Sequence, residues 1–171
     1  MTLGKTNFSI HLQQQEDSTL VVKVGGYLDE NAKLDSDGIN GDIRSLIIDF
    51  EDLMFINSIG IRYWIDFIGS FEKRENLSIF YRNCHKQVVE SMNTISGFLP
   101  KNAKVESFFA PVFCGRCDNG FEVFQTSEEV RADKEALIKA VSKLNCQNHP
   151  HCKGSLDIDF NPKTYYQFLS Y

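Results

Sequence analysis

Hydrophobic and polar positions alternate in short blocks along the first 110 residues. Phe8-Ser9-Ile10-His11-Leu12 alternates apolar and polar side chains, the pattern of a half-buried strand. Glu16-Asp17-Ser18 makes a turn. Leu20-Val21-Val22-Lys23-Val24 follows, β-rich and stopped by Gly25-Gly26, so the two runs predict a hairpin. Leu46-Ile47-Ile48-Asp49-Phe50 is a nearly continuous apolar run, as in strands buried on both faces of a sheet. After a loop, Ile61, Trp64, Ile65, Ile68 and Phe71 recur at spacings of three and four and share a helix face. Ser58 opens this helix as a preferred N-cap residue. Leu77 to Tyr81 is the next strand. Val88, Val89, Met92 and Ile95 give a second helix face, ended by Gly97. Val105 to Phe109 is the last strand of the series. The alternation predicts an α/β fold, a mixed sheet with helices packed on it.

Pro111 breaks this pattern and places a domain boundary there, dividing the chain into residues 1–110 and 111–171. Beyond it come a cysteine pair, a strand-like Gly120 to Gln125, and a polar helix. Ser127-Glu128-Glu129-Val130 reads as its capped start, with acids in the first turn, and the helix extends to about Leu144. A second Cys/His cluster follows. Pro162 to Tyr171 has proline where a helix begins and Tyr165, Tyr166 and Phe168 to bury.

Composition narrows the classes. Fourteen Phe, six Tyr and one Trp in 171 residues fill a sizeable core, which excludes disorder over most of the chain. The net charge is −5 and no long basic run exists, which excludes a mainly electrostatic grip on nucleic acid or acidic lipid. Met1 to Lys5 lacks the apolar stretch of a signal peptide, and no run approaches a transmembrane length. The expectation is a cytoplasmic protein with no membrane partner.

Four of the five cysteines stand at 114, 117, 146 and 152. An odd cysteine count without a signal peptide argues against a disulfide framework, and paired reduced thiols point to metal. Cys114-Gly115-Arg116-Cys117 is a knuckle that turns two thiolates toward one tetrahedral ion. The other half lies in Cys146-Gln147-Asn148-His149-Pro150-His151-Cys152. His149 and Cys152 form a second two-residue knuckle, and Cys146 with Cys152 leaves a wider loop. Both sets give four protein ligands, which describes a structural zinc, because a catalytic zinc keeps a position open. Cys84-His85 suggests a nucleophile pair, but neighbours on a strand end point apart.

The segment from Leu46 to Ile65, LIIDFEDLMFINSIGIRYWI, resembles the STAS family, the domain of bacterial anti-sigma-factor antagonists. The family has a buried strand, a loop, and an Asp-Ser-Ser-Gly type turn opening a helix. Asn57-Ser58-Ile59-Gly60 is the matching turn. Asn57 stands where the family has an acid, and Ile59 where it has a second small polar residue. Gly26-Tyr27-Leu28-Asp29 matches an upstream strand end, and Leu77 to Asn83 and Val88 to Leu99 match the fourth strand and third helix. The likeness covers roughly residues 7–110. It implies a sheet of four or five strands with helices on one side. It also implies binding to a protein partner, such as a serine kinase, anti-sigma factor or phosphatase, with Ser58 as the phosphorylated switch.

The tail resembles the zinc-ribbon tail of some bacterial STAS-containing proteins, where Cys-Pro-x-Cys precedes an acidic strand and a Tyr/Phe-rich end. His149-Pro150-His151-Cys152 falls on that motif. The resemblance implies zinc on Cys114, Cys117, Cys152 and His149, with Cys146 as the alternative fourth ligand. The expected protein is a non-catalytic bacterial regulator. The alternatives are an unregulated scaffold in a signalling complex and a zinc-ribbon nucleic-acid binder. Near the knuckles Arg116, Lys143 and Lys153 face Asp118, Asp157 and Asp159, a balance that disfavours nucleic acid. No convergent catalytic group accompanies the Ser58 turn, so no enzyme activity is expected.

Overall fold

The computed structural model describes residues 7–36, 39, 42–146 and 152–170. β1 (Ser9–Gln14) and β2 (Thr19–Leu28) form the expected antiparallel hairpin. β2 runs through Gly25-Gly26 instead of stopping there. Gly26 has φ +74°, and a Cβ on it would lie 2.2 Å from the Asn7 carbonyl oxygen. Between Gly26 and Tyr27 the register shifts, the β4 partner passing from Leu53 to Phe55, so Met54 is the extra residue of a bulge opposite this point. Before the bulge β2 pairs in parallel with β3 (Ser45–Asp49). After it β2 pairs in parallel with β4 (Leu53–Ile56), a strand the sequence reading leaves as loop.

α1 (Ser58–Glu72) buries Trp64, Phe67, Ile68 and Phe71. Ile61 and Ile65, expected on that face, are only partly buried, and Phe67 is buried beside Trp64 and Phe71. β5 (Ser78–Arg82) joins β3 in parallel, and β6 (Ala103–Val105) joins β5. Leu20, Val22, Leu46, Ile48, Ile79 and Tyr81 are buried and stand in register on one face of the sheet. Ile47 and Phe80, on the opposite face, are only half-buried. The Trp64 ring packs edge-on against Phe50 and Tyr81. Its Nε1–H donates to the Tyr81 hydroxyl at 3.1 Å, which donates to the Phe98 carbonyl at 2.8 Å. The polar atoms of this aromatic core are thus satisfied, which burial demands.

A second sheet is antiparallel, with β7 (Ser107–Cys114) between β8 (Asn119–Thr126) and β9 (Leu156–Ile158). The single strand expected near 105–109 is therefore two, divided at Glu106, whose N–H donates to the Tyr81 carbonyl at 2.7 Å. β7 also continues through Pro111. The Pro111 carbonyl accepts from Asp159 N–H, just past the end of β9. In a strand the N and O of one residue point to the same side. The missing proline N–H therefore lies on the Asp159 side, at the end of β9, and the ladder to β8 on the other side loses no bond.

The helix expected from Ser127 to Leu144 is also two, α3 (Ser127–Ala132) and α4 (Ala136–Val141). Asp133 is extended, and its Oδ1 accepts from Glu135 N–H at 2.9 Å, a local bond that competes with helix continuation. Thr126, one residue earlier than expected, caps α3 in a capping box with Glu129. α5 (Pro162–Tyr165) starts at its proline, capped by Asn161. Tyr165, Tyr166 and Phe168 are buried around Phe108. Asn93 of α2 (Lys86–Thr94) fastens this end of the chain. Its Nδ2 donates to the Tyr165 carbonyl, and its Oδ1 accepts from Phe168 N–H. Among the described residues no helix is long and apolar enough to cross a membrane.

Candidate functional site

The turn before α1 is built around one carbonyl. Leu28, the last residue of β2, accepts from Asn57 N–H at 3.2 Å. Gly60 presses on the same oxygen, where a Cβ would sit only 1.9 Å away. Only glycine fits that contact. Asn57, not Ser58, is the N-cap. Its Oδ1 accepts from Ile59 N–H at 3.0 Å and Gly60 N–H at 2.9 Å, and its Nδ2 donates to Glu30 at 3.0 Å. The capping role expected for Ser58 is therefore corrected. Asparagine caps as well as serine does, and here it stands one residue ahead. Ser58 becomes the first helical residue and is exposed. Within five residues of it along the chain, Met54, Phe55, Ile59 and Tyr63 are large hydrophobic side chains left exposed. Met54 and Phe55 escape the sequence reading because both project outward from the short β4, where no period-two signal marks a strand.

The second site is a cluster of sulphurs. Cys114 ends β7, and Cys117 lies in the turn that leads to β8. Cys146 follows α4, and its N–H donates to the Gly154 carbonyl at 2.9 Å. This bond and the bridge between Asn145 and Ser155 draw the strand after Cys152 alongside Cys146. The sulphurs of Cys114, Cys117, Cys146 and Cys152 lie within 4.8 Å of one another. Cys114 and Cys152 are 3.7 Å apart, and Cys117 and Cys146 are 3.5 Å apart. A tetrahedral ion with thiolates at ~2.3 Å sets its sulphurs ~3.8 Å apart, so the spacing fits.

Three of the cysteines are buried and Cys117 is half-buried, and none of the five is in a disulfide. Backbone N–H groups of Cys117 and then Arg116 hold the Cys114 thiol down at about 7, against the opposing effect of burial. Burial, followed by bonds from the neighbouring thiols, pushes the Cys117 thiol up to about 12. Four thiols so close ionise together only around a cation. Gly154 backs the cluster, because a Cβ there would meet Cys114 Sγ at 2.6 Å. These four cysteines can hold one metal ion. His149, the fourth ligand implied by the resemblance, lies outside the described residues. Cys146, the alternative, supplies the fourth sulphur of the cluster.

Cys84 and His85 do not form a reactive pair. Cys84 is fully buried, and desolvation raises its thiol well above the usual value. His85 turns instead to Glu122 on β8.

Fold and site together define a mixed α/β protein with a four-cysteine cluster suited to one metal ion. No family model matches the chain, and no curated protein matches it.

Proposed function

We propose that this protein is a non-catalytic regulator. In this reading a STAS-like domain binds a protein partner through the surface around Ser58, and a structural zinc staples a ribbon-like tail beside it. One observation carries the reading: Ser58 is exposed at a helix start, off the cap, with Met54, Phe55, Ile59 and Tyr63 also exposed within five residues of it along the chain. Clustered exposed apolar side chains mark binding surfaces in soluble proteins. A phosphate on Ser58 adds about 1.5–2 negative charges, which the helix N-terminus accepts. The same charge opposes burial of the apolar side chains around it. Binding is thus switched without refolding, in the manner of an anti-sigma-factor antagonist and its serine kinase.

Zinc suits the donor set, because soft thiolates in a tetrahedral array select it and all four positions are filled. Cys146 is the fourth ligand in this reading. Zinc retention in Cys146→Ser against His149→Ala decides that point, and loss only in the histidine variant transfers the role to His149.

The test of the function is partner capture followed by phosphosite mapping, with Ser58→Ala and Ser58→Asp titrated against the recovered partner. The Asp variant binds more weakly and the Ala variant binds like the parent. Equal affinity for all three removes the switch and leaves an unregulated scaffold.

A further inference from the structure

Three segments meet at one imidazole. His85 occupies the N-cap position of α2, and its ring lies flat on Phe109 of β7, with centroids 4.6 Å apart and planes 7° apart. Its Nδ1 is 2.5 Å from Glu122 Oε2 on β8. Its Nε2 is 3.0 Å from the Glu51 carbonyl oxygen, in the connection between β3 and β4. A carbonyl oxygen only accepts, and so does an ionised carboxylate. The other Glu122 oxygen accepts from Lys86 N–H at 2.9 Å, which favours the ionised form. Both His85 bonds therefore coexist only when both ring nitrogens carry protons.

We propose that His85 is a pH-sensitive latch between the two sheets. As imidazolium it ties β8 to the β3–β4 connection through two donated hydrogen bonds, and deprotonation releases one of them.

The surrounding charges agree. Glu122 faces the ring from β8 and Glu51 from the β3–β4 connection, while β7 offers only the Phe109 face. Lys86, the next residue on α2, is the nearby cation, and its Nζ is drawn off to Asp159 at 3.6 Å. The Glu122 hydrogen bond raises the His85 value above 6.5, against the lowering effect of burial. Burial pushes Glu122 up, but bonds from His85 and the Lys86 N–H more than offset this and hold it below its ordinary value. A raised histidine stabilises the fold below its unfolded value, and that stability is lost as pH rises through the folded value. The latch is closed below the raised folded value and opens as pH rises through it. It fastens the stretch that leads straight into β4 and the Ser58 turn, whatever that surface binds.

The experiment is side-chain nitrogen NMR on the full chain loaded with zinc, with amide exchange read in parallel. Below its midpoint His85 shows protons on both nitrogens, and the midpoint lies above about 6.5. Glu122→Gln lowers that midpoint. Between about pH 6 and pH 9, β8 amides lose roughly tenfold more protection in the parent than in His85→Gln, after correction for intrinsic exchange. A neutral single tautomer at about pH 6 overturns the proposal, and so does a midpoint indifferent to Glu122→Gln. If His85→Gln does not fold, the parent titration and the Glu122 variant still decide.

Discussion

Replacing Asn57 by alanine removes two accepting bonds at the start of α1, while replacing its neighbour Ser58 removes none of them. The two orphaned donors differ. Ile59 is exposed, so water can take its N–H. Gly60 is buried and its bond to Asn57 is half-buried, so water replaces that acceptor less readily. Loss of a cap costs about 0.5–2 kcal/mol, and a buried unsatisfied N–H puts this one in the upper half of that range. For Asn57→Ala we expect a loss of about 1.5 kcal/mol, or ~3–6 °C in Tm for a chain of this size. Ser58→Ala should stay within about 0.5 kcal/mol of the parent. Asn57→Asp should fall between the parent and Asn57→Ala, because its carboxylate still caps the helix but loses the bond to Glu30 and repels that side chain. Urea titration of the three variants with zinc present measures this directly. If Ser58→Ala proves the more damaging alanine change, the serine hydroxyl is the cap and the geometry given for the turn is wrong.

Gly60→Ala should be worse than either, because the clash is with backbone that α1 must back away from. A loss of about 3 kcal/mol or failure to fold is expected, read by circular dichroism and thermal melting. Gly154→Ala should leave the first sheet folded but weaken metal retention, since its Cβ would strike Cys114 Sγ and Arg116 Cβ. Competition with a chelator reads that loss, and unchanged retention would mean the sulphurs have room to spare.

The long, strongly periodic elements were legible in the sequence. The hairpin, β3, α1 and β5 follow from runs whose period matches their structure. What escaped were elements whose cause lies elsewhere in the chain. Gly25-Gly26 reads as a strand end because what asks for glycine there, the close approach of Asn7 and Asp52, is a contact in space and not in sequence. Pro111 reads as a break because nothing local says that β9 stops opposite it. The helix expected from Ser127 to Leu144 divides at Asp133 through a side-chain bond that the apolar spacing of Leu137, Ile138 and Val141 conceals. Of the cysteine cluster the Cys114–Cys117 knuckle and Cys152 were legible, while Cys146 stood only as the alternative fourth ligand, because its place depends on its pairing with Gly154. Glu122 carried no local signal, because its partner His85 is brought to it only by the folding of β8.

β7 belongs to both halves of the molecule. At its start the Ser107 carbonyl accepts from Cys84 N–H, and Phe109 N–H returns a bond to the Cys84 carbonyl. At its far end stands Cys114, in the sulphur cluster. One continuous strand thus works as a tie rod between the edge of the first sheet and the sulphur cluster. A cut after Ala110 would not separate a domain from its tail. It would sever a strand between two loaded ends and strip Phe108 of Tyr165, Tyr166 and Phe168. In transplanting this tail to another protein, the piece to carry across would have to begin at Ser107 or earlier, with an edge like that at Cys84 ready to receive it.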